Sequence, residues 1–186
     1  VKRYIDFYWY DTQQSVNRLA RDRAEDYRSH VEDVYVEIVD RIKERELGRR
    51  GLLKISPAPD RSDEIMDNPE VRLVIVHPRH HYSSQTKENP AYIFASQVLD
   101  GRGNSPRENQ NMLVFAVADR ELLGNLMDSV RDYLAWNSIV EDVKKKELPL
   151  LPDQVAMAEK RRKTADETVW ASCDSGIQHR LLPGLG

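Results

Sequence analysis

The sequence has one cysteine, Cys173, in 186 residues. A lone thiol closes no internal disulfide, which excludes a cross-linked secreted scaffold and fits a reducing, cytoplasmic compartment. No apolar run approaches the ~20 residues that a bilayer-spanning helix needs, so no membrane is expected among the partners. The aromatic and amphipathic opening, Val1 to Asp11, lacks the pattern of a signal peptide. An excess of charge of either sign is almost missing. The 28 basic and 31 acidic side chains leave −3, so there is no global pull toward nucleic acid or an anionic surface, and only a local basic face stays open. There is no internal repeat, no low-complexity tract and no Gly-x-x-x-x-Gly-Lys-[Ser/Thr] phosphate loop. The chain opens at Val1 within a strand-like stretch and carries no initiator methionine. The expectation is a segment of a longer polypeptide, so the absence of a catalytic motif here says little about the parent.

What is present is a soluble, helix-rich balance with enough bulk for a core: 32% charged and 40% hydrophobic residues. Tyr4 to Tyr10 is aromatic and β-prone. Asp11 to Gln14 has capping-box spacing. Val16, Leu19, Ala20, Ala24, Tyr27, Val31, Val34, Ile38 and Ile42 step by threes and fours, which predicts one long helix from about Gln13 to Leu47, stopped at Gly48-Arg-Arg-Gly51. The opposite face is dense in Arg, Asp and Glu and reads as a solvated surface of i,i+4 ion pairs. Leu52 to Ser56 and Val71 to Val76 read as strands, separated by a proline-marked loop. Ala91 to Leu99 reads as a helix with Pro90 in its first turn.

Gly101 and Gly103 end that helix, and Pro106 keeps the turn open. Met112 to Ala118 is then an unbroken apolar run, the mark of a strand buried on both faces. Together with the strand Val71 to Val76 and the helix between them it makes a βαβ unit, for which parallel pairing is the default. Asp119 is placed to cap the next helix, about Arg120 to Lys146. Leu148-Pro-Leu-Leu-Pro152 is a break. A mostly charged helix follows over about Asp153 to Ala171, with only Val155, Ala158, Ala165 and Val169 at helical spacing. The expected fold is α/β: a mainly parallel sheet of about four strands flanked by long helices, with a charged C-terminal helix. The expected division is an α/β domain over 1–147 and a helix and irregular tail over 148–186.

Four groups of residues bear on chemistry. His77, His80 and His81 follow a strand, where imidazoles can bind zinc. Only Asp119 and Glu88 are at hand as carboxylates, so exposed histidines without metal are the plainer reading. Asp119 also stands where P-loop ATPases hold magnesium, but that role needs the missing phosphate loop, and a helix cap needs nothing more. In the Gly101–Asn111 loop, Arg102, Asn104, Ser105 and Arg107 suit a phosphate or nucleotide contact, including an arginine finger offered to a neighbouring site. The plain alternative is pairing with nearby carboxylates. Lys144, Lys145 and Lys146, with Lys160, Arg161, Arg162 and Lys163, are candidates for phosphate-backbone contact or simply solvated helix ends. The aromatics from Tyr4 to Tyr10 could stack bases or form core. Cys173 has no partner pattern of a nucleophile.

Three stretches carry a resemblance: Tyr8-Trp-Tyr-Asp-Thr-Gln-Gln-Ser-Val-Asn-Arg-Leu-Ala20; Gly103-Asn-Ser-Pro-Arg107 with Asn111-Met-Leu-Val-Phe-Ala-Val-Ala-Asp119; and Tyr133-Leu-Ala-Trp-Asn-Ser-Ile139. Together they resemble a downstream segment of the large AAA-type P-loop ATPases of prokaryotic phage-defence islands, a family catalogued as a domain of unknown function. The resemblance runs from Tyr8 to about Thr168. That family commonly has proline where Gln14 stands and arginine where Gln110 stands, so this loop has one basic side chain fewer. The resemblance implies a nucleotide-binding loop upstream, with ATP and magnesium as cofactors of the parent and none in this segment. It implies as partners the rest of that ATPase, a DNA methylase or helicase of the same system, and DNA. It carries over no catalytic residue. The expected function is a non-catalytic coupling or interaction module. The alternatives are a nucleic-acid-binding module using the Lys and Arg clusters, and a metal-dependent hydrolase or nuclease using Asp119 with His77, His80 and His81.

Overall fold

The computed structural model describes residues 16–47, 54–83, 89–176 and 180–181. The expected strand over Tyr4–Tyr10, the Asp11–Gln14 capping box, the Gly48–Gly51 turn and most of the tail lie outside them. The chain forms two compact units. One combines the residues up to Val34 with Met127–Ala171, and the other combines Tyr35–Leu126 with the residues from Ser172.

The second unit holds the sheet. Strands β1 (Lys54–Pro57), β2 (Arg72–Ile75) and β5 (Leu113–Val117) are parallel, with β2 in the middle and Ser56, Val74 and Phe115 in register. The two-residue β6 (Arg180–Leu181) adds to β5 antiparallel. The parallel sheet therefore has three strands, fewer than the expected four or so. Helix α3 (Pro90–Asp100) makes the crossover from β2 to β5. Its Ala91, Phe94, Ala95 and Val98 pack with Ile65, Val74, Val76, Phe115 and Val117 in one buried cluster. The spacing 91-94-95-98 puts those four on one helix face, and the strand residues alternate toward it. Between α3 and β5 the chain turns through a small hairpin, β3 (Gly101–Arg102) and β4 (Ser105–Pro106), which the glycines alone did not announce. Gly103 sits at φ 61 in its turn, a conformation that favours glycine.

The expected single helix from Gln13 to Leu47 is two helices. The first, α1, is helical over residues 16–26, and α2 spans Val31–Leu47. The break at residues 27–30 has a local cause. Ser29 Oγ donates to the Asp26 carbonyl at 2.7 Å and His30 Nδ1 lies 2.9 Å from the same oxygen. Side chains that compete for a helical carbonyl draw the backbone out of the helix. On α2, Val34, Ile38, Val39 and Ile42 are buried, but so is Arg41, which pairs with Glu37 at 2.7 Å, so its polar face is not wholly solvated.

Helix α4 (Arg120–Lys144) and helix α5 (Pro152–Gly176) are each 25 residues long. In the first unit, Val16 and Ala20 of α1, Trp136, Ile139 and Val140 of α4, and Ala158 and Ala165 of α5 form a buried cluster. Arg23 ties α1 to α4, with Nη2 2.6 Å from Asp142 Oδ2 and Nη1 donating to Ser138 Oγ at 2.9 Å. No helix among the described residues is long and apolar enough to cross a membrane.

Candidate functional site

Open parallel sheets place ligands beyond the carboxyl ends of their strands. Here that edge is lined by residues that cap helices. After β2, His77 Nδ1 accepts from the Arg79 amide at 3.1 Å and opens the 3-10 turn Pro78–His80. Before α3, Asn89 Oδ1 accepts from the Ala91 amide, while its Nδ2 donates to the Ser83 carbonyl at 3.0 Å. After β5, Asp119 Oδ1 accepts from the Glu121 amide at 2.9 Å, as an N-cap of α4 should. The backbone beside Asp119 is itself paired, because the Arg120 amide donates to the Tyr82 carbonyl and the Tyr82 amide to the Ala118 carbonyl.

The three histidines have three environments. His77 is 5% exposed, with its Nε2 3.7 Å from Asp60 Oδ1 and its ring edge-on to Tyr35. Because Nδ1 accepts a hydrogen bond, the neutral ring carries its proton on Nε2, facing the Asp60 carboxylate. His80 stacks on Phe94 with ring centroids 4.6 Å apart, and burial followed by the nearby Arg79 charge depresses its pKa. His81 adds a smaller push in the same direction on His80. Among the described residues no three His, Cys, Asp or Glu side chains are grouped to hold a metal ion. Among the described residues, Asp119, His77, His80 and His81 do not form such a group. Close to them, Ala58 has φ 45 between two prolines and is 4% exposed, its amide donating to the Ile75 carbonyl. Such strain in a non-glycine residue persists only where surroundings enforce it.

In the hairpin loop the four predicted anion contacts separate. Arg107 is 4% exposed. Its guanidinium donates to the carbonyls of Val98 at 2.7 Å, Ser62 at 3.0 Å, Ile65 at 3.3 Å and Met66 at 3.4 Å. Burial works against its charge, and Asp67 opposes that effect. Asp67 accepts from the amides of Glu108 and Asn109 and from Asn109 Nδ2, at 2.8, 2.9 and 3.0 Å, which holds its carboxyl below the usual range. Arg102, Asn104 and Ser105 remain exposed, with Arg102 Nε donating to the Asp63 carbonyl. No spacing rule in the sequence points to Asp67. Its only mark is a position in a loop 41 residues before Glu108.

The basic clusters belong to the first unit. Lys144 pairs with Glu141 at 2.9 Å, and Lys145 and Arg162 also act on that carboxylate, all three keeping its pKa low. Arg161 lies on a different side of α5. It lines a surface cavity of about 490 Å³ together with Arg21, Asp132, Trp136, Thr164 and others.

No family model, curated protein or solved structure matches this chain.

Proposed function

We propose that this chain is a non-catalytic interaction module that couples a larger ATPase, carrying the nucleotide-binding loop and its magnesium, to partners such as a DNA methylase, a helicase or DNA. The observation that carries the reading is the capping geometry at the carboxyl edge of the sheet. On His77, Asn89 and Asp119 one polar atom each, Nδ1, Oδ1 and Oδ1, accepts a backbone amide at a helix or turn start. Groups engaged in this way stabilise the scaffold, and the exposed hairpin side chains Arg102, Asn104 and Ser105 are left for contact with another surface. The resemblance to AAA-type ATPases points the same way. The test has two arms. The purified chain, supplied with magnesium, manganese or zinc, should neither hydrolyse ATP nor cleave DNA. Substituting Arg102 and Asn104 in the parent ATPase should lower its partner-stimulated turnover and spare its basal turnover. Hydrolysis by the isolated chain, or unchanged stimulation in the parent, rejects the proposal.

One observation favours the nucleic-acid-binding alternative. Lys144 pairs with Glu141, and Lys145 and Arg162 act on the same carboxylate, so residues of both basic runs lie near one point of the first unit. That reading requires binding whose affinity falls steeply with salt and that weakens when Lys145 and Arg162 are neutralised.

A further inference from the structure

The cavity in the first unit follows from three helical stripes. On α1, Asn17, Ala20, Arg21 and Ala24 recur at three- and four-residue steps; on α4, Asp132 and Trp136 are four apart; on α5, Arg161, Thr164, Ala165 and Thr168 do the same. A helix surface that closes on its neighbours normally carries large apolar side chains. Here Ala20 and Ala165 pack against the buried Trp136, and beside them, among the described residues, lies an open surface cavity of about 490 Å³ rimmed by the exposed Arg21, Asp132 and Arg161. That volume falls within the roughly 300–1,000 Å³ of small-molecule sites and exceeds what a lone inorganic ion fills.

The polar lining is of mixed charge. Two guanidinium groups, Arg21 and Arg161, come from different helices, against one carboxylate, Asp132. Partial burial pushes the Asp132 carboxyl up, opposed by the Trp136 indole and by Arg161. Guanidinium groups suit a phosphate group by geometry and charge. The carboxylate accepts from a hydroxyl or amine. We propose that this cavity binds a small phosphate monoester whose organic body carries hydroxyl donors, with Arg21 and Arg161 on the phosphate and Asp132 on a hydroxyl. The proposal stands apart from the coupling role, since none of these residues belongs to the sheet edge or the hairpin.

The test titrates the full chain with ribose 5-phosphate by calorimetry, beside inorganic phosphate, ribose and a short single-stranded oligonucleotide. Saturable binding of ribose 5-phosphate at millimolar concentration or below is expected, at least tenfold tighter than inorganic phosphate or ribose alone. Arg21→Gln and Arg161→Gln should each weaken it about tenfold. Ala24→Leu, which fills the cavity without changing charge, should abolish it while circular dichroism shows the helices intact. Absence of saturable binding overturns the proposal. So does equal affinity for inorganic phosphate, which would need no organic body, or undiminished binding in the arginine variants. Preference for the oligonucleotide, lost on neutralising Lys145 and Arg162 but kept in Ala24→Leu, also overturns it and moves the site to the basic surface.

Discussion

Arg107 Nε donates a 2.7 Å hydrogen bond to the carbonyl of Val98, the residue two before the end of α3. The remaining donors of the same side chain reach Ser62, Ile65 and Met66, over forty residues earlier in the chain. One guanidinium thus joins the last turn of α3, the loop before β2 and the segment leading into β5. Its planar fork matches several carbonyls at once, which an ammonium group cannot.

The first prediction concerns that staple. Removing one side of a buried hydrogen bond leaves its partner unsatisfied at about 1–3 kcal/mol. With more than one carbonyl orphaned, Arg107→Met should destabilise the second unit by about 2–4 kcal/mol, and Arg107→Lys should recover less than half of that. Urea denaturation of the three proteins gives the numbers. A loss below about 0.5 kcal/mol for Arg107→Met, the range of ordinary surface changes, would show that water satisfies those carbonyls equally well.

The second prediction follows from Asp67. Its carboxyl pKa is lowered first by the Glu108 amide and then by Asn109. A carboxylate with a depressed folded-state pKa contributes stability that is present above its unfolded value, near 3.9, and is lost as pH falls through the folded value. Amide exchange at Glu108 and Asn109 should therefore accelerate on acidification below about pH 4, beyond the intrinsic pH dependence of exchange. Asp67→Asn should remove that extra acid sensitivity while raising exchange at neutral pH. An unchanged acid response in Asp67→Asn would assign the effect to other carboxylates.

The sequence carried the βαβ crossover in view, though it led to a larger parallel sheet than the three strands found. The apolar run before Asp119, the matching run before His77, and the 91-94-95-98 stripe between them are local patterns that burial turns into β5, β2 and α3. Asp119 as a cap was equally local, needing only the amide of Glu121 two residues on. The helix break at residues 27–30 was also written locally, in Ser29 and His30 ahead of the acidic Glu32 and Asp33, but the unbroken apolar period masked it. The role of Arg107 was not legible. Its partners are backbone carbonyls, which every residue has, so no side-chain pattern marks them. The cavity of the first unit was hidden for a related reason: Ala20, Ala24 and Ala165 read as good helix formers, and only the packing of three helices opens a cavity beside them.

A third prediction concerns the end of α4. Lys146 adopts φ 62, with its amide on the Val143 carbonyl and the Glu147 amide on the Asp142 carbonyl. This left-handed turn is the usual helix stop, but glycine is the residue that adopts it without Cβ crowding. Lys146→Gly should stabilise the first unit by about 1 kcal/mol and raise its melting temperature by several degrees. Lys146→Val should lower it, because a β-branched side chain is least tolerant of positive φ. A fall in stability for the glycine variant would mean that the lysine side chain contributes more than its backbone strain costs.

The fourth prediction sets the pH response of the second unit near neutrality. His80 lies against Phe94, and its pKa is depressed first by burial, then by Arg79, with His81 adding to the fall and Asp60 opposing it. A histidine with a depressed folded-state pKa binds its proton more tightly in the unfolded chain. Its contribution is therefore complete above the ordinary value near 6.5 and declines as pH drops through the window below it. Stability should fall as pH drops below about 6.5. His80→Phe keeps a ring on Phe94 and removes the proton, so it should flatten this part of the profile while leaving stability at pH 8 within about 1.5 kcal/mol, as for a swap of similar shape. Denaturant midpoints at pH 5, 6.5 and 8 for the two proteins decide the matter. Parallel profiles would reject His80 as the group behind the acid response, and a steeper slope in His80→Phe would contradict its depressed pKa.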